Sequence, residues 1–179
     1  MIVCIIPVCY DSGLMRSRGH QITIKIERGL KFPFSRWWLT AICRTVLDEE
    51  KIIQPVEIEC VITDDTTIQR LNKQFRNINE PTDVLSFAFK DTYTDAQGAS
   101  FPEVTDGPEI LGQIIVSFPM SVTQAAAHRH GVDQELKLLV VHGMLHLLGY
   151  DHQDPAEERK MKQREKHVIK LLGEKPGLA

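Results

Sequence analysis

The chain has 179 residues, 42% of them hydrophobic and 25% charged, with a formal net charge of −3. That is enough for one domain with a buried core and too little for a second, and no stretch approaches the ~20 apolar residues that a membrane helix requires. The charge balance excludes a surface that is basic overall, so any contact with nucleic acid has to be local.

Residues 1–21 read as a tail or extension. Their opening, MIVCIIPVCY, is apolar but lacks the positive start of a secretory signal, and Pro7 and Asp11 interrupt it. Met15 offers an alternative start. From Ile22 to Glu27 apolar and polar residues alternate, as in a half-buried strand. A helix follows from Pro33 and Ser35, with Leu39, Ile42, Cys43, Val46 and Leu47 on one face. Trp37 and Trp38 are adjacent and point in different directions, so one belongs to the core. Val56 to Ile62 is the next strand. Asp64 or Asp65 then caps a helix whose expected buried stripe is Ile68, Leu71 and Phe75, which puts Arg76 in its last turn.

Asn77 to Asp83 has turn composition, with Pro81 requiring an extended residue before it. Thr82 and Asp83 are candidates for the wall of a cavity, although Asp and Thr also serve turns through local hydrogen bonds. Val84 to Phe89 is a strand, Asp91 to Glu109 an acidic loop rich in Gly and Pro, and Ile110 to Phe118 a strand apolar enough to lie centrally in a sheet. Pro119 opens a helix running to about His130, with Gly131 as its expected C-cap and Asp133 as the cap of the next. His128 and His130 read as surface residues. After Asp154 and Pro155 comes a last helix, in which Met161, Val168, Leu171 and Leu172 can pack and the mixed charges read as a solvated face. Cys4, Cys9, Cys43 and Cys60 form no CxxC pair, which points to reduced thiols and a cytoplasmic protein.

The chemistry concentrates in HGMLHLLGYDH, from His142 to His152. His142 and His146 are four apart, so on a helix both rings leave one face a turn apart. Gly149 allows the left-handed turn that brings His152 back toward them. Three imidazole ligands leave one position of a tetrahedral zinc open, the pattern of catalytic sites; nickel is a possible substitute. The spacing HxxxHxxGxxH is shared with a group of zinc peptidases that need a Glu after the first His. Here that residue is Gly143, which demotes peptide hydrolysis. Asp151 is a candidate base, or a partner that orients a histidine.

Together with LNKQFRNINEPTDVLSF (Leu71 to Phe87), this motif resembles the YbeY family of metal-dependent endoribonucleases, over roughly Ile22 to Gly173. The resemblance implies zinc on His142, His146 and His152, a functional Arg76, and cleavage of single-stranded RNA in ribosomal RNA processing, including 16S 3′-end maturation and ribosome quality control. It also implies the small ribosomal subunit, and ribosome-associated proteins, as partners. One departure stands out: the family usually reads Leu-Gly-Asp-Ile where this chain has Leu111, Gly112, Gln113 and Ile114. The competing readings are a metal-dependent hydrolase of a peptide or small molecule, and a ribosome-assembly factor with a structural zinc. The fold expected is α+β: a small mixed sheet of four strands, about five helices, and a buried central helix carrying the metal ligands, all within residues 22–173, with 174–179 a tail.

Overall fold

The structure, a computed structural model, describes residues 19–89 and 107–174. The N-terminal tail apart from residues 19–21, most of the acidic loop and residues 175–179 lie outside the described residues.

The elements follow the expected order: β1 (Gln21–Ile26), α1 (Arg36–Glu49), β2 (Val56–Thr63), α2 (Asp65–Arg76), β3 (Val84–Ala88), β4 (Glu109–Ser117), α3 (Phe118–His128), α4 (Val132–Leu147) and α5 (Pro155–Glu174). The four strands form one mixed sheet in the order β1-β2-β4-β3. The first three run parallel, and β3 pairs antiparallel with β4 along that strand's outer edge. β4 is therefore an interior strand, as its apolar run requires.

Alternation along the interior strands separates two apolar clusters. Ile58, Cys60, Ile62, Ile114 and Val116 join α1, α4 and α5 in the main core. Val61 and Ile115, pointing the other way, meet Ile68 and Leu71 of α2 and Leu85 and Phe87 of β3 in a smaller cluster. Cys43 and Cys60 are free, buried thiols that behave as core residues; a mutual hydrogen bond, then burial, raises the pKa of Cys60. Trp38 is buried and stacks on Phe34, with ring centroids 4.7 Å apart, while Trp37 faces solvent.

The helix ends depart from expectation in two places. α3 stops early, because Arg129 takes the left-handed conformation (φ 60°) and its N–H reaches the carbonyls of Ala125 and Ala126. Gly131 is thus not the end of α3 but the N-cap of α4, and it supplies no side-chain cap. Asp133 is not the cap either: it lies in the first turn, where its carboxylate accepts from Lys137 at 3.2 Å, one turn on. A third difference concerns α2, whose Phe75 is not in the buried stripe but 58% exposed. The last turn of α2 lies over the edge strand β3, and Phe75 finds one ring there, Phe87 at 4.9 Å.

α4 is the centre of the molecule. It touches α1, α3, α5, β3 and β4, and ten of its sixteen residues are buried.

Candidate metal centre

Two features of the chain bring α4 close enough to the sheet for its polar residues to line a cleft. The first is Gly143, on the face that meets β3 and β4. A Cβ there would lie 2.7 Å from Cγ2 of Ile114 and 3.0 Å from Oγ of Ser86, so the helix seats only because this position has no side chain. The same crowding leaves no room for the glutamate that a peptidase of this spacing carries after its first histidine.

The second is the exit from α4. Gly149, at φ +88°, donates to the His146 carbonyl at 2.9 Å, and Tyr150 donates to that of Leu145 at 3.0 Å, which closes the helix end and turns the chain back. The returning loop is tied to the end of α1, which α5 buttresses, and is held locally at Asp151. The Tyr150 hydroxyl donates to Glu50 at 2.7 Å, Arg164 of α5 donates to the other oxygen of Glu50 at 2.7 Å, and the N–H of His152 donates to Asp151 at 2.7 Å. Burial and the carboxylate of Glu50 raise the pKa of the Tyr150 phenol, which remains a donor.

The outcome is a trio of rings. His142, His146 and His152 each offer a nitrogen, all within 4.8 Å of one another, and Nε2 of His146 lies 3.1 Å from Nε2 of His142. Two bare nitrogens at that distance suit an ion placed between them. The donor set fits a borderline divalent cation such as zinc, for which these three would be the ligands. Burial, then the nearby charges of His142 and His152, lower the pKa of His146, outweighing its hydrogen bond with the Tyr150 backbone and the charge of Asp151. A neutral imidazole is the form that ligates.

Glu165 was not singled out in the sequence. It projects from α5 and its carboxylate receives Nδ1–H of His142 at 2.6 Å, with only 14% of the side chain exposed. The bond fixes the tautomer and leaves Nε2 of His142 free to ligate an ion. The signal was available: Glu165 falls four residues after Met161 and three before Val168, on the buried stripe of α5. The charges of that helix are therefore not all a solvated face.

The rings open onto a cleft of about 940 Å³. Arg76, exposed in the last turn of α2, lines it together with Phe75, Thr82, Asp83, Ser86 and Asp151. The segment joining Arg76 to β3 is held by Asn72, which donates to the Glu80 carbonyl at 2.8 Å, and Gln69, which donates to that of Asn79 at 3.0 Å. Asp83 is occupied locally, accepting from Val84 N–H at 2.8 Å, Thr82 at 3.0 Å and Gln124 at 3.1 Å. Gln113 is not among the lining residues. It shares a sheet face with Ile115, opposite α4, and its amide donates to Glu59, its register partner on β2. A carboxylate at 113 would confront that of Glu59, so the amide is matched to this chain's own neighbour.

Comparison with known proteins places the chain among relatives of one name. The family model described as Endoribonuclease YbeY matches residues 22–173. A protein of Roseiflexus sp. (strain RS-1) named Endoribonuclease YbeY is 46% identical over 128 residues, covering 71% of this chain and 77% of that one. Proteins of the same name from Heliobacterium modesticaldum (41% identical, 68% and 72% covered) and Shouchella clausii (40%, 70% and 78%) are also similar. Among solved structures, the solution structure of TM1509 from Thermotoga maritima superposes with a TM-score of 0.54 at 25% identity, covering 86% of this chain and 91% of that one.

Proposed function

The chain belongs to the YbeY endoribonuclease family, and from that premise we propose that it is a zinc-dependent endoribonuclease that cuts single-stranded RNA. The observation that carries the reading is the convergence of His142, His146 and His152 at the wall of a cleft that Arg76 also lines. Zinc held there would polarise a phosphoryl oxygen and lower the pKa of a bound water toward ~7.

The remaining work falls to the chain's own side chains. Glu165 holds His142 in the ligating tautomer, and Asp151 fixes the backbone at His152. Arg76 binds the scissile phosphate through two parallel hydrogen bonds and counters charge that develops on it. Phe75 and Phe87 add ring surface beside Arg76 on which an unpaired base stacks. Thr82 and Asp83 shape the wall, with Asp83 acting through the turn it closes. Gly143 leaves no carboxylate next to the first ligand, which disfavours peptide hydrolysis.

In the cell the proposed substrate is ribosomal RNA of the small subunit, in 16S 3′-end maturation and ribosome quality control, in the cytoplasm and alongside ribosome-associated proteins. The test is cleavage of an unstructured RNA, and of precursor ribosomal RNA, by untagged metal-loaded protein with and without chelator. Cleavage should stop with chelator and fall at least a hundredfold in His142→Ala and Arg76→Ala. Cutting that survives both substitutions would sink the proposal.

A further inference from the structure

Besides the trio, one other group of side chains among the described residues has metal-ligand geometry: His128 at the end of α3, His130 in the connection, and Glu135 in the first turns of α4, with ligand atoms within 4.8 Å of one another. We propose that these three form a second divalent-cation site.

The tautomer of His130 is the key. Its Nδ1 lies 3.1 Å from the Gly131 carbonyl, an oxygen that only accepts, so Nδ1 carries the hydrogen. Its Nε2 lies 2.9 Å from Oε2 of Glu135. A neutral ring would set its lone pair against a carboxylate that is only 2% exposed. A shared proton or a cation has to sit between ring and carboxylate. Nδ1 of His128 favours the ion, because it converges on the same oxygen at 3.3 Å. Ligands 2.0–2.1 Å from a tetrahedral zinc stand about 3.3 Å apart, which is the His128–Glu135 separation and asks His130 to withdraw slightly from its 2.9 Å contact. Two imidazoles and one carboxylate select a cation of the zinc or nickel class over magnesium or calcium.

Glu135 and His142 lie seven residues apart on α4, a rise of about 10 Å. The ions of a two-metal centre stand about 3.5–4 Å apart, so this ion is accessory and not catalytic. It adds positive charge to a cleft in which Arg76 is the one Lys or Arg among the described lining residues.

Metal stoichiometry tests the site without reference to cleavage, so its failure would leave the nuclease reading standing. Untagged apoprotein is titrated with zinc and with cobalt, by calorimetry and by visible absorption. The wild type should bind two ions, and His142→Ala/His146→Ala should bind one. Adding His130→Ala to that pair should abolish binding, and adding His128→Ala, at an exposed ligand, should weaken it at least tenfold. A His142→Ala/His146→Ala protein that is folded by circular dichroism and binds no ion would overturn the proposal, leaving a shared proton between His130 and Glu135 in its place. Two ions retained by His128→Ala/His130→Ala would overturn it equally.

Discussion

Replacing Glu165 by leucine keeps the packing of α5 nearly intact and removes the acceptor from His142. The bond it breaks is short, 2.6 Å, and the carboxylate is 14% exposed, so solvent compensates poorly. Hydrogen bonds to a charged group contribute about 1.5–3 kcal/mol, and at about 1.4 kcal/mol per decade that is roughly 10- to 150-fold in affinity. Losses for the outer partner of a ligating histidine run about 10- to 100-fold, an independent figure in the same range. Zinc affinity, measured by competition against a chelator of known strength, should therefore fall by one to two decades. Glu165→Gln, whose amide oxygen still accepts from Nδ1–H, should lose less than Glu165→Leu. An unchanged affinity in Glu165→Leu would mean that His142 needs no orienting partner, and Glu165 would have no part in holding the metal.

Other expectations are as definite. Gly143→Ala forces a Cβ to within 2.7 Å of Ile114 and should cost about 1–3 kcal/mol, read from the denaturation midpoint of metal-free protein; a neutral result would show that α4 seats differently. Phe75→Ala should weaken binding of a short unstructured RNA by about 1–3 kcal/mol with zinc affinity unchanged, and equal RNA binding would remove Phe75 from the substrate surface. The lowered pKa of His146 means that the unfolded chain takes up that proton first as pH falls below the ordinary value of 6.5. Metal-free protein should thus hold this contribution above pH 6.5 and lose it as pH falls through the folded pKa. Denaturation midpoints between pH 7 and pH 5 should drop less in His146→Ala than in the wild type, and parallel profiles would contradict this. Chelator should lower the melting temperature of the wild type but not that of His142→Ala/His128→Ala/His130→Ala, since an ion bound only to the folded state at 100 times its Kd adds about 2.7 kcal/mol.

What could be read in advance follows the range of the interactions involved. His142, His146 and the Gly149 turn are local, and periodicity with one glycine suffices to place two rings on a face and return the third. The strands and α4 were legible for the same reason, since alternation and helical stripes record which face is dry. Asp133 was misread as a cap because Lys137, a residue that forms i,i+4 pairs as readily as it meets solvent, claims its carboxylate. Phe75 was misplaced because nothing in α2 reveals that the sheet ends beneath its last turn. His130 keeps 21% of its side chain exposed, and what the spacing did not show is its contact with Glu135, which is buried where α3 and α4 pack. Glu165 meets its histidine 23 residues away, across two helices. No spacing rule reaches that far, although its place between Met161 and Val168 marked a charge that had to be satisfied inside.

The bond between Glu165 and His142 also orders events in time, because α5 is the last part of the described chain to leave a ribosome. A chain interrupted before Pro155 carries all three rings but lacks the carboxylate that steadies one and the Arg164 that helps anchor the loop of another. An ion held by the three rings would be gripped weakly until α5 has emerged. A chain of an endoribonuclease family would in this way stay unarmed until α5 has folded onto α4.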